Sequence, residues 1–240
     1  MLVAIISDIH SNLAALEAVL ADCRDCDRVW CLGDVVGYGP DPIACVERIR
    51  EVAEICIAGN HDLAAIGSLP IEEFNGLAAE AAIWTSEQLS AGDREFLGER
   101  PMVQTRGEFT LTHGSPRDPV WEYLMTAEQA RDNFEYFETP VCFVGHSHIP
   151  VAFSVAGGAF GGGRNVQIEP TDVAGETSFG TRRHLINVGS VGQPRDGDPR
   201  SAFVIVDTEN RTYRRRRVRY NVAQTQSRMR SAGLPMPLWS

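Results

Sequence analysis

Apolar residues fall along this chain in two rhythms, and over the first 150 positions the two alternate. Leu2–Ile6 is a short continuous apolar run, the pattern of a strand buried on both faces. Asn12 then stands where a helix cap belongs, followed by Leu13, Leu16, Val19 and Leu20 at helical spacing. Arg28–Leu32 predicts the next strand. Pro42–Val52, with Ile43, Val46 and Ile49, predicts the next helix, and Glu54–Ala58 a third strand. Helical spacing returns around Ile71–Ser90 and at Thr126–Phe137, with short strands predicted at Phe109–Thr112 and Val141–Val144. Such alternation predicts an α/β architecture, with parallel strands covered by helices.

After Pro150 the pattern changes. Val151–Val155, Asn165–Glu169, His184–Asn187, Ala202–Asp207 and Tyr213–Val218 read as strands joined by Gly-rich turns with no helix between them. They predict a second, largely antiparallel sheet. Gly157–Gly163 reads as a hairpin loop and not a phosphate cradle, because no helix follows it. Val222–Ala232 predicts a closing helix stopped by Gly233-Leu234-Pro235. With no repeat and no linker, residues 1–240 are expected to form one domain: an alternating part over 1–150, strands over 151–220 and a terminal helix over 222–232.

Composition narrows the classes of partner. The formal charge of −10 disfavours nucleic acid and anionic membranes, which attract basic surface. No apolar stretch reaches the roughly 18–20 residues of a membrane span. The N-terminus reads as a strand and not a signal peptide, so a cytoplasmic location is expected. All 22 basic residues are arginine, a bias of composition before function. Arg214–Arg217 with Arg219 predicts a charged edge strand, Arg215, Arg217 and Arg219 sharing one face. Cys31, Cys56 and Cys142 lie in apolar runs, and Cys23-x-x-Cys26 has no second ligand pair beside it, so all read as small buried hydrophobes and not as a zinc site.

The candidate chemistry sits where apolar runs end. Asp8-Ile9-His10, Gly33-Asp34, Gly59-Asn60-His61-Asp62, His113-Gly114 and Gly145-His146-Ser147-His148 hold five of the six histidines. Residues two apart on an extended chain reach the same side, so Asp8 with His10, and His146 with His148, can converge. Imidazole and carboxylate without thiolate suit Mn, Fe, Zn or Co better than Mg alone. Two such ions about 3.5–4 Å apart neutralise phosphate oxygens and lower the pKa of a water between them.

These motifs, with Val35-Val36-Gly37 after Asp34 and Thr112 before His113, resemble the calcineurin-like metallophosphoesterase superfamily from Met1 to about Asp207. Asn187-Val188-Gly189-Ser190-Val191-Gly192-Gln193-Pro194-Arg195 is similar to its small bacterial phosphodiesterase-like branch. The resemblance implies a four-layer α/β/β/α sandwich of two mixed sheets with two divalent ions (Mn, Fe, Zn, Ni or Co) at the strand ends. It implies one ion on Asp8, His10 and His148, another on Asn60, His113 and His146, and Asp34 bridging them. His61 would protonate the leaving oxygen or donate to the phosphate. Protein serine/threonine phosphatases carry arginines that this chain lacks: Ala58 precedes Gly59, and Val35-Val36-Gly37-Tyr38 follows Asp34. A small phosphate ester, nucleotides included, is therefore the expected substrate, with Arg117 and Arg195 as salt-bridge residues first and phosphate contacts second, and with Tyr38 and the Trp121-Glu122-Tyr123 segment either lining the cleft or packing in the core. The competing readings are a non-catalytic metal-bound scaffold on the same fold, and a nuclease.

Overall fold

Val3 and Ile5 point into one core and Ala4 and Ile6 into another, so the first strand is buried on both faces. The computed structural model describes residues 1–156, 165–169 and 175–238. In chain order the described strands are β1 (Leu2–Ile6), β2 (Arg28–Cys31), β3 (Ala53–Cys56), β4 (Val103–Arg106), β5 (Phe109–Thr112), β6 (Val141–Val144), β7 (Val151–Val155), β8 (Gln167–Glu169), β9 (Thr177–Ser178), β10 (Arg183–Asn187), β11 (Ser201–Asp207) and β12 (Thr212–Val218). The helices are α1 (Leu13–Asp22), α2 (Pro42–Val52), α3 (Asn60–Ala65), α4 (Gly76–Gln88), α5 (Ala91–Gly98), α6 (Ala127–Asn133) and α7 (Val222–Ser231).

Two six-stranded sheets form, in the orders β3-β2-β1-β11-β12-β9 and β4-β5-β6-β10-β7-β8. Both are mixed: β1, β2 and β3 run parallel, as do β5, β6 and β10, while the other pairings are antiparallel. Trp30, Leu32, Phe143, Ile186 and Val204 fill the space between the sheets. Leu16, Val19, Val46, Ile49 and Leu97 cover the outer face of the first sheet, and Ala130, Phe134 and Phe137 that of the second. The layers are therefore α/β/β/α, the sandwich expected from the motifs.

One expectation is corrected. The strands after Pro150 do not make a sheet of their own: β7, β8 and β10 extend the second sheet, and β9, β11 and β12 the first. Ile186 pairs in parallel with Phe143, and Ile5 opposite Val204, so the two halves of the chain interleave. The helical pattern at Ile71–Ser90 resolves into a turn at Ile71–Glu73 and then α4, whose cap Asn75 accepts from Ala78 N. That at Thr126–Phe137 shortens to α6. Helices α3 and α5 and strands β4 and β9 went unread; the first turn of α3 is buried but polar, which hides its period. The turn expected at Gly157–Gly163 lies outside the described residues.

Two arginines of the basic strand are paired with acidic neighbours. Arg216 donates to Asp22 of α1, and Arg217 pairs with Asp196. All six cysteines are free, and no group of potential metal donors among the described residues includes one. No helix among those residues is long and apolar enough to cross a membrane.

Candidate metal centre

Asp8, Asp34, Asn60, His61, His113, His146 and His148 all follow the C-terminal ends of parallel strands, three in one sheet and two in the other, and His10 completes the Asp8 loop. None of these eight side chains is more than 5% exposed. The loops are stitched together by main chain: Asp8 N donates to Gly33 O (3.1 Å), His10 N to Asp34 O (3.0 Å) and Gly145 N to His113 O (2.8 Å). His146 N donates to Asp8 Oδ2 at 3.0 Å, which joins the two sheets at the site.

This packing holds a strained backbone. Asp8, His10, Ser11, Asp34, Tyr38, His146 and His148 all have φ between 49° and 65°. A non-glycine residue there costs about 1–3 kcal/mol, so seven together rival the roughly 5–15 kcal/mol net stability of a domain. Such strain persists only where the surroundings over-determine it. Glycine is needed at Gly59 and Gly145 because a Cβ would collide with the Asp34 carboxylate and with Ser7 and Asp8 respectively.

Four histidines share one arrangement. One ring nitrogen faces a backbone carbonyl: His10 Nδ1 with Val36 O (3.2 Å), His113 Nδ1 with Leu32 O (2.8 Å), His146 Nε2 with Trp121 O (3.2 Å) and His148 Nδ1 with Gln193 O (2.7 Å). A carbonyl only accepts, so it fixes an N–H on that nitrogen and turns the other toward the cluster. Those free nitrogens converge on the carboxylates. His113 Nε2 lies 3.2 Å from Asp34 Oδ2 and 3.2 Å from Asn60 Oδ1. His148 Nε2 lies 3.3 Å from Asp8 Oδ1, and His10 Nε2 3.6 Å from Asp34 Oδ2.

Charge balance within the cluster is incomplete. Burial alone would raise Asp8 and Asp34, yet the surrounding imidazoles hold both carboxyls below their ordinary range. Burial pushes His10 well down, His146 to about 3 and His61 to about 4. His113 alone goes up, to about 9: burial opposes its charge, but Asp34 and Asp8 prevail. Two buried carboxylates thus share one raised imidazole, His113, whose Nε2 faces Asp34 Oδ2 at 3.2 Å, while burial keeps His10, His61 and His146 neutral. Donors within 4.8 Å of one another form three groups: Asp8, His10 and His148; Asp34, His113 and His146; His10, Asp34 and His61. A divalent cation supplies the charge and coordination this donor set lacks.

His61 differs from the other four. Its ring is held by aromatic neighbours, Tyr38 at 4.4 Å and Phe74 at 5.1 Å between ring centroids, and its Nδ1 has no hydrogen-bond partner. Asp62 beside it closes the loop, accepting from Val36 N and Gly59 N at 3.0 and 3.1 Å. Burial and Asp34 raise the Asp62 carboxyl to about 7.

Tyr38 stands at the site, and Arg195 reaches its hydroxyl at 3.5 Å. Arg117 is drawn elsewhere, paired with Glu122 and 3.7 Å from Asp132. Glu122 also accepts from Ser115 Oγ (2.5 Å) and Asn133 Nδ2 (2.9 Å), which pins the segment whose Trp121 carbonyl holds His146 and whose Tyr123 ring stacks on it at 4.2 Å. The sequence reading missed Phe74 and the carbonyls of Trp121 and Gln193; backbone carbonyls leave no residue-type signal.

Residues 1–211 match the calcineurin-like phosphoesterase superfamily domain. The chain belongs to that superfamily. It resembles the crystal structure of a metallophosphoesterase from Sphaerobacter thermophilus, with 43% identity, a TM-score of 0.89, and 100% of this chain and 98% of that one covered. An uncharacterised protein of Methanocaldococcus jannaschii is 35% identical, over 98% of this chain and 94% of its own length. A symmetrical bis(5'-nucleosyl)-tetraphosphatase of Dechloromonas aromatica is 29% identical over 53% of this chain and 48% of its own, so the match spans about half of that enzyme. The chain is accordingly a metal-dependent phosphoester hydrolase, with its buried donor cluster at the strand ends.

Proposed function

We propose that the cluster holds two divalent ions and that the chain hydrolyses a small phosphate ester, nucleotides included. Asp8, His10 and His148 would hold one ion, Asn60, His113 and His146 the other, and Asp34, with an oxygen facing both histidine sets, would bridge them. Nitrogen and oxygen donors without thiolate suit Mn, Fe, Zn, Ni or Co. Bound there, the ions would neutralise phosphate oxygens and lower the pKa of the attacking water.

The protein's own groups do the rest. Arg195, held near Tyr38 by Gln193 Oε1 at 2.7 Å, would bind a phosphate oxygen. The Glu122 pairing commits Arg117 to the His146 loop, so we assign it no phosphate contact. His61 would donate a proton to the leaving oxygen, a role in which the negative charge of the bound phosphate must offset the burial that lowers its ring to about 4, and the buried walls around it keep bulk water out. Half-length similarity to the symmetrical bis(5'-nucleosyl)-tetraphosphatases supports a nucleotide among the substrates.

The observation that carries this reading is the histidine geometry: four imidazoles, each held through one nitrogen by a backbone carbonyl, turn the other nitrogen toward two buried carboxylates. Stripping the protein with chelator and measuring turnover of phosphate mono- and diesters with each added metal tests it. Activity should vanish on stripping and return with one or more of the named ions. Turnover that survives chelation with the site stripped would refute it.

A further inference from the structure

Beside the metal centre a pocket of about 190 Å³ opens, with His10 and Tyr38 on one wall and Gln193, Tyr220, Gln226 and Leu238 on the others. No aspartate, glutamate or arginine lines it. The larger cleft of about 860 Å³ beyond Ile149 is the opposite, lined by Arg200, Arg215, Arg217, Asp196 and Asp198. A charged group seated inside the smaller pocket, past Arg195 at Tyr38 and Gln193, would shed water and meet no charged lining side chain, whereas an uncharged polar group loses far less.

Size and polarity narrow the occupant. A cavity of about 150 Å³ accepts benzene, so this one takes a single five- or six-membered ring. The Gln226 amide makes no hydrogen bond to the described residues. The oxygen of Gln193 is taken by Arg195, which leaves its NH₂ as a donor. The Gln226 amide and the Gln193 NH₂, beside proline, methionine and leucine, suit a ring that carries hydroxyls on an apolar frame.

Position gives the pocket its part in the reaction. Tyr38 lies 4.8 Å from His10 and 4.4 Å from His61 between centroids, and Arg195 reaches the same tyrosine. An ester whose phosphorus sits over the ligand cluster would place its departing alcohol on this side, beside the acid. We infer that the pocket seats the leaving group and selects an uncharged sugar-type alcohol over one carrying its own phosphate. The inference rests on the phosphoesterase reading above. In the reaction the P–O bond to the alcohol breaks and the oxygen of one water joins phosphorus. The alcohol departs with a proton from His61, which one proton of that water replaces.

Two measurements test it on the full chain with Mn²⁺ added. Calorimetry with methyl β-D-ribofuranoside, which has no phosphate, should show binding that Leu238→Trp, which fills the pocket, and Gln226→Leu each weaken about 10-fold or more. Kinetics should show kcat/KM for adenosine 5′-phosphate, which releases neutral adenosine, exceeding that for ADP, which releases charged AMP. The ratio for adenosine 5′-phosphate over methyl phosphate should fall about 10-fold in both variants, through KM. No riboside binding, a preference for ADP, or ratios unmoved by both variants would overturn the inference while leaving the phosphoesterase reading intact. Riboside binding that both variants weaken, without turnover of any ester, would support the pocket and refute the phosphoesterase reading.

Discussion

His10 Nε2 and His148 Nε2 face each other at 3.0 Å, while the far nitrogen of each ring is held by the carbonyl of Val36 or Gln193. With their protons committed to those carbonyls, two lone pairs point at one spot, an arrangement that a cation relieves. A ligand that binds only the folded state stabilises it by about 2.7 kcal/mol at 100 times its Kd. In a chain of this length that corresponds to a rise in Tm of roughly 5–10 °C. Chelator should therefore lower Tm by that amount, and Mn²⁺ should restore it in thermal unfolding scans. An unchanged Tm would argue against a cation between the two rings.

Asp34 joins both halves of the site: Oδ1 accepts from His61 N at 2.8 Å, and Oδ2 faces His113 and His10. Asp34→Ala should cost metal on both sides and abolish turnover, whereas His148→Ala should affect mainly the Asp8 side. Metal content by elemental analysis separates the two. Two ions retained in Asp34→Ala with near-normal activity would remove the bridging role.

The site motifs were legible because each is local: an apolar run that ends in Asp, Asn or His at short spacing is a strand feeding a loop, whatever its neighbours. The placement of β10 between β6 and β7 was not, because pairing between distant segments depends on sheet order, which no local pattern carries. Arg117 forms a salt bridge, the first of its two readings, but the choice of Glu122 as partner rests on a shared contact with Ser115 and Asn133 that no local pattern carries. The left-handed φ of Asp8, Asp34 and His146 also left no trace, because Asp and His, although enriched there, far more often adopt other conformations, and tertiary contacts decide which.

His61 should separate binding from chemistry. Its ring is held by aromatic contacts and lacks the carbonyl anchor of the four other histidines. His61→Ala should retain both ions and lose about 10²–10⁴-fold in kcat. The loss should be larger for poor leaving groups, which need the proton, than for nitrophenolate. Rates across a graded series of leaving groups decide it. An equal loss throughout would make His61 a phosphate donor, and loss of an ion would make it a ligand.

Glu122 should act on the metal centre through its neighbours. Its carboxylate fastens Ser115, Arg117 and Asn133 around the segment that holds His146 from the Trp121 carbonyl and the Tyr123 ring. Mutating the groups that orient a ligand typically costs 10–100-fold in metal affinity. Glu122→Ala should show that loss at the His146 ion while the Asp8 ion stays bound, and Glu122→Gln, which keeps acceptor oxygen, should recover part of it. Metal titration with a Co²⁺ absorption readout measures both, and equal weakening of the two ions would indicate general loosening instead.

Glu169 gives a pH test remote from the donor cluster. It lies on β8, accepts from Tyr213 Oη of the other sheet at 2.8 Å, and sits 3.2 Å from His184 Nδ1. Burial by itself would raise the carboxyl, but these partners bring it down to about 2, from an ordinary 4.5. A carboxylate depressed in the folded state contributes stability above its unfolded pKa, and that contribution is lost as pH falls toward the folded value. Glu169→Gln should therefore be less stable than wild type at pH 6, by roughly 1–3 kcal/mol. The gap should close between about pH 4.5 and pH 2, where wild type takes up the proton. Urea unfolding of both proteins, run in chelator so that metal loss does not enter, measures the difference. A gap that stays constant across that range would mean the Glu169 charge contributes nothing to joining the sheets.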